Sequence, residues 1–212
     1  MSDNQEVMNN RKAGVGHSWR ELLKFLHRKG LSQVLAFGLL VLISCSPSIN
    51  LYYPGHFFSA DNVYRNNSLR FAMTFMGNWD IYTDPDQMSR SNRSYARELH
   101  QNGLELLFVG STAEGFHGTR AIAGNLNKSA LEYAYNIQEL NSEFVDKDLG
   151  LEDLTEKMEL IRWTYERSGF RFTEYFFTLG TYNLRLAFWA APDHFERFLV
   201  VYDDIVGSIV RF

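Results

Sequence analysis

The chain has 212 residues, 45% of them hydrophobic and 15% aromatic, enough for one domain of ordinary size with a sizeable core. Its single cysteine excludes a disulfide framework within the chain, so the core has to hold the fold. A net charge of −4 argues against nucleic acid as a partner, because phosphates demand a basic face.

Residues 1–30 are polar and basic, carrying Arg11, Lys12, Arg20, Lys24, Arg28 and Lys29, and an uncharged run follows over residues 31–44. That run falls short of the roughly 20 apolar residues of a membrane span but matches the apolar core of a secretory signal. Ser18 and Glu21 have capping-box spacing, so Trp19, Leu22, Leu23 and Leu26 suit an amphipathic helix at the inner membrane surface before export. The run ends in Leu42-Ile43-Ser44-Cys45, which resembles the lipobox of bacterial lipoproteins. That resemblance implies cleavage between Ser44 and Cys45 and acylation, including palmitate, of Cys45. The plainer reading is a free thiol or a residue inside an uncleaved anchor.

The expected organisation is a signal peptide over 1–44, a short tether over 45–50 and a domain over 51–212. The mature chain would carry 15 Lys and Arg against 22 Asp and Glu, a net −7, so membrane attachment would rest on acyl chains rather than on charge. Ser46, in place of Asp, resembles lipoproteins sorted to an outer membrane and facing the periplasm.

Within the domain, residues 51–59 read as an edge strand because Pro54 and Gly55 cannot both serve an interior ladder. Residues 61–68 read as a turn. Leu69, Phe71, Met73 and Phe75 alternate with Arg70, Ala72 and Thr74, a half-buried strand, and Gly77-Asn78 turns the chain toward residues 79–82. Polar residues 83–93 read as loop. A short helix is expected over 94–102 with Gly103 as its left-handed cap, then a central strand over 104–109, apolar on both faces, and another strand over 119–125.

Ser129 and Glu132 form a capping box for a helix whose stripe is Ala130, Tyr133, Ala134, Ile137, Leu140 and Phe144. After a charged break over 146–150, Leu154, Met158, Ile161 and Tyr165 have the spacing of a second helix closed by Gly169. Residues 170–178 are rich in aromatics and Thr, and Gly180-Thr181 sits where a hairpin turn belongs. Tyr182, Leu184, Leu186, Phe188 and Ala190 then alternate as a strand. Pro192 opens a last helix with Asp193 beside its positive end, and Phe195, Phe198, Leu199, Tyr202, Ile205, Val206 and Ile209 make one wide stripe.

This order of elements makes parallel crossover units unfavourable and favours an α+β fold, a mainly antiparallel sheet covered by helices. Residues 69–82, 170–189 and 192–209 resemble the PsbP-like or DcrB-like family, which also includes a eukaryotic Ran-binding nuclear import factor. The likeness spans most of residues 51–210, and the closing helix ends in Ser as that family's does. It implies an α/β/α sandwich used mainly for binding and assembly.

No reaction is legible in the sequence, and no cofactor is expected. Glu114 and His117 lie in 110–118, read as a loop whose composition suits a metal or phosphate, but further metal ligands are missing from the spacing. Asp80, Asp84 and Asp86 invite a calcium reading that Met88 and Ser89 contradict. Ser111 follows Gly110 without the second glycine of a nucleophile elbow. His194 stands with Asp193 and Glu196 at a helix start, where those charges serve the dipole.

Phe57, Phe58, Tyr175, Phe177 and Trp189 either complete a core or line a groove. The expectation is a non-enzymatic, membrane-anchored envelope lipoprotein that binds another envelope protein. The alternatives are a carrier of a small apolar ligand, which a closed apolar cavity would favour, and a metal-assisted hydrolase using His117 and Glu114.

Overall fold

The computed structural model of the chain describes residues 55–212 except 114, 116 and 157. The expected signal, the Ser44–Cys45 junction, the tether and the first residues of the expected edge strand lie outside the described residues.

With strands numbered along the chain, β1 (Gly55–Phe58), β2 (Val63–Asn66), β3 (Phe71–Thr74) and β11 (Val210–Arg211) form a small antiparallel sheet in the order β1-β2-β3-β11. β1 is an edge strand, and Gly55 is needed there because the Tyr64 ring occupies the space a Cβ would take. Leu69, Phe71, Met73 and Phe75 are buried, as their alternation predicts.

The segment 61–68, expected as a turn, instead contains β2. Asn62 and Arg70 take left-handed backbone (φ 54° and 56°) on either side of it. Its polar look is deceptive because Asn66 is buried and satisfied: its amide donates to the Tyr64 hydroxyl at 3.1 Å and its carbonyl accepts from the Leu69 N–H at 2.9 Å.

The larger sheet joins β4 (Trp79–Tyr82), β5 (Leu104–Thr112), β6 (His117–Gly124), β7 (Lys147–Asp153), β8 (Leu160–Arg167), β9 (Phe170–Leu179) and β10 (Tyr182–Ala190). Their order is β4-β5-β6-β10-β9-β8-β7 and every pairing is antiparallel. The expected β9–β10 hairpin is made, Leu179 facing Tyr182 across Gly180-Thr181, with Gly180 at φ 66°.

The second helix expected after residue 150 does not form; that stretch is the β7–β8 hairpin. Ile161 and Tyr165 are four residues apart, and such pairs share a face in a helix and in a strand alike, so their spacing cannot choose between the two. Trp163 chooses. It lies between them on the buried face, which only a period of two allows, and its indole N–H donates to Asp148 of β7 at 3.0 Å. Gly169 closes no helix. With Ser168 it makes a two-residue turn with both φ positive (51° and 79°), the geometry of a tight hairpin between β8 and β9.

Three helices flank the large sheet among the described residues. α1 (Arg90–Gln101) begins earlier than expected, because Ser89 rather than Ser94 caps it by accepting from the Asn92 N–H at 3.3 Å. α2 (Ala130–Asn141) is capped by Ser129, whose hydroxyl accepts from the Glu132 N–H at 3.1 Å. Its stripe stops at Ile137, and Leu140 and Phe144, expected to be part of it, are exposed beyond the sheet. α3 (Pro192–Gly207) has Pro192 in its first turn and buries Phe195, Tyr202, Ile205 and Val206.

α1 and α2 cover one face of the large sheet, through Leu99 against Leu106 and Ile122 and through Tyr133 and Ile137 against Trp163 and Phe176. α3 and the small sheet cover the other, enclosing Phe108, Tyr175, Phe177, Leu186 and Phe188. The fold is α+β, a mainly antiparallel sheet covered by helices, with a second sheet sharing one of its faces.

Candidate functional site

His117 does not sit in a loop. β5 runs to Thr112 and β6 begins at His117, so the expected loop is a short hairpin connection. The His117 ring points to the α3 face of the sheet, stacked on Phe198 with centroids 3.7 Å apart, edge-on to Trp79 at 5.3 Å, and with Nδ1 3.4 Å from the Tyr202 hydroxyl. Glu114 lies outside the described residues. Among the described residues no group of His, Cys, Asp and Glu is arranged to hold a metal ion.

The other candidates are dispersed in the same way. The Asp84 side chain caps the turn at Pro85–Gln87 by accepting from the Asp86 N–H at 2.9 Å. Asp80 pairs with Ser111 in the β4–β5 ladder. Asp193 lies 3.7 Å from His194 in an exposed pair at the start of α3.

The structure instead brings together two sets of residues that spacing alone did not connect. The first is on α1. Arg90, Arg93 and Arg97 fall at i, i+3 and i+7, so they line one helix face. All three are exposed, and none has an ion-pair partner among the described residues. They border a concavity of about 670 Å³ with Pro85, Asp86, Ala96 and the hydrogen-bonded pair His100–Glu105, 2.5 Å apart. The first turn of α1 contains no acidic residue, so Arg90 sets a cation against the positive end of the helix dipole, an arrangement that opposes stability.

The sequence reading missed this row because it began the helix at Ser94 and left two of the three arginines in a loop. Ser89, a good N-cap with four residues of Arg and polar type behind it, was the available signal.

The second set lies at the end of the sheet beneath α3. Trp79 and Thr112 face each other in the β4–β5 register and share a sheet face with His117. Arg197, Phe198 and Val201 of α3 close over them, leaving a pocket of about 520 Å³. The Trp79 indole N–H is used, donating to the Met76 carbonyl at 3.0 Å. The Thr112 hydroxyl is buried and has no partner among the described residues, a state that costs about 1–3 kcal/mol of lost hydrogen bonding. The Arg197 guanidinium stands 5.8 Å from the Phe198 ring centroid at the pocket mouth. These residues come from four elements, so no local spacing could have grouped them.

A third polar cluster is structural. On the α1–α2 face, Glu174 is fully buried and forms an ion pair with Arg185, Nε to Oε2 at 2.5 Å and Nη2 to Oε1 at 2.7 Å. The Tyr165 hydroxyl also donates to Glu174, at 2.9 Å, and Arg120 stands 3.8 Å away. Burial alone would push the Glu174 carboxyl up, but Arg185, Arg120 and the Tyr165 hydrogen bond together hold it below the usual carboxylate range. Burial pushes the Tyr133 hydroxyl up to about 12, so it stays neutral above this pair. The Arg120 Nε is buried without a hydrogen-bond partner among the described residues.

No family model matches the chain, and no curated protein matches it. Among solved structures it is similar to the solution structure of cyanobacterial PsbP (CyanoP) from Synechocystis sp. PCC 6803. The two are 9% identical, with a TM-score of 0.51 over 71% of this chain and 91% of that one. At that identity the likeness is one of fold, and it agrees with the PsbP-like resemblance of the sequence.

Proposed function

We propose that this chain is an exported, lipid-anchored envelope protein, attached through Cys45 after cleavage between Ser44 and Cys45, that works by binding another envelope protein rather than by turning over a substrate. The observation that carries the binding reading is the row Arg90, Arg93 and Arg97. Three guanidinium groups share one exposed helix face, and among the described residues none of them forms an ion pair, although Asp86 and Glu105 border the same concavity, on a chain whose net charge is −4. Arginine presents a rigid fork of donors suited to carboxylates, so the partner is a protein with an acidic face. An anionic surface would supply what α1 lacks, relieving both the mutual repulsion of the row and its conflict with the helix dipole. The PsbP-like fold supports the reading by analogy.

The anchor is tested by the intact mass of membrane-extracted protein beside a Cys45→Ala variant. A chain starting at Cys45 with acyl groups, absent from the variant, is the expected result, and a full-length unmodified mass would refute the anchor. The binding is tested by photo-crosslinking in intact membranes from the Arg93 position, with Tyr135 on α2 as the control. A discrete adduct from position 93, missing from 135 and lost in Arg90→Glu/Arg97→Glu, is expected. The same adduct from both positions, or one indifferent to charge reversal, would overturn the reading. Loss of binding to anionic vesicles without any protein adduct would point to the lipid surface instead.

A further inference from the structure

The pocket beneath α3 combines features that neither the core nor the α1 face requires. Its walls are aromatic: Trp79 is edge-on to His117, which is itself stacked on Phe198. Its interior holds a hydroxyl, that of Thr112, which is buried, lines the space and has no hydrogen-bond partner among the described residues. Its mouth holds an exposed guanidinium, that of Arg197, which forms no ion pair with a carboxylate among the described residues. The volume of about 520 Å³ falls in the range of small-molecule sites, which are mostly apolar with a few placed polar groups.

We propose that this pocket binds a small aromatic carboxylate. The flat apolar body lies against Trp79 and Phe198, where quadrupolar ring contacts favour an aromatic over an aliphatic filler. The carboxylate is held by Arg197 through charge-assisted hydrogen bonds and accepts a further one from the Thr112 hydroxyl. A neutral apolar ligand would leave that hydroxyl unsatisfied and gain nothing from Arg197, so the polar pair selects for the acid. The site is separate from the arginine row of α1 and stands or falls independently of the partner-binding reading.

The test is calorimetric titration of the full-length chain in lipid nanodiscs with naphthoate and its neutral isostere naphthamide, heats from empty discs subtracted. The acid is expected to bind about tenfold more tightly than the amide, the ratio one charge-assisted contact provides. Arg197→Gln should erase that preference while leaving amide binding in place. Thr112→Val keeps the side-chain shape and removes the unpaired hydroxyl, so it should weaken the acid several-fold without lowering the melting temperature. A purely structural threonine would behave in the opposite way, losing stability and leaving affinity alone. Equal affinity for acid and amide, a preference that survives Arg197→Gln, or no binding of naphthoate up to about millimolar concentration would each overturn the proposal.

Discussion

The two faces of the seven-stranded sheet are built on different principles. Under α3 and the small sheet, Phe108, Tyr175, Phe177, Leu186 and Phe188 meet side chains of their own kind, and stability there comes from removing apolar surface from water and packing it densely. Under α1 and α2, the centre of the face holds Glu174 and Arg185 locked to each other and to Tyr165. A buried ion pair returns little net stability, but it tolerates no partial dismantling. The apolar face therefore tolerates swaps that keep its volume, and the polar face does not tolerate the loss of one charged partner alone.

That contrast can be broken most forcefully by one large lesion on each side. Phe188→Ala should cost about 3–5 kcal/mol by opening a cavity, and Glu174→Ala should cost about as much by leaving Arg185 buried without its counter-charge, both read by urea denaturation. Compensation should then separate the faces. Adding Arg185→Met to Glu174→Leu should recover most of the loss, since an apolar pair of similar volume replaces an ion pair at little cost, and failure to recover would mean that the network specifies the fold.

The next effect is one of pH. The folded Glu174 carboxyl is held below its ordinary value of 4.5, so its stabilisation is complete above the unfolded value and is lost as pH falls through the folded one. Glu174→Gln should flatten the acid limb of the stability curve below about pH 4.5, whereas Phe188→Ala should shift the curve without changing that limb.

Smaller effects belong to the helix ends that flank the polar face. Ser129→Ala should cost about 1 kcal/mol by removing the hydroxyl that accepts from Glu132, measurable as a matching loss of folding free energy. Arg90→Glu should do the reverse. It replaces a cation by an anion at the positive end of α1, and the melting temperature should rise by about 1–2 °C. A fall instead would mean that Arg90 already has a structural role in the isolated chain, and the argument that the arginine row is kept for a partner would fail with it.

Much of this architecture was legible residue by residue. The β9–β10 hairpin announced itself through strict alternation and Gly180, α3 through Pro192 and its stripe, and α2 through the Ser129 capping box. The β7–β8 hairpin was misread because Ile161 and Tyr165 satisfy both periods, and the alternation of Ile161, Trp163 and Tyr165 with Arg162, Thr164 and Glu166 was the better guide. β2 was misread because Asn66 looks solvated until its partner Tyr64 is placed beside it. Of the candidate sites, His117 was considered as a metal ligand beside Glu114, and among the described residues no metal-binding group surrounds it. Its aromatic neighbours come from β4 and α3, far away along the chain.

What the sequence determined by itself was local: the period of most strands, the caps and the turns that need φ > 0, all fixed by interactions among residues a few positions apart. What only the tertiary structure decided was which of these elements meet. The Glu174–Arg185 pair joins adjacent strands, and the pocket assembles Trp79, Thr112, His117 and Phe198 from four elements. Proximity between distant residues depends on strand order and register, which arise from burying the whole apolar surface at once rather than from any one stretch of chain.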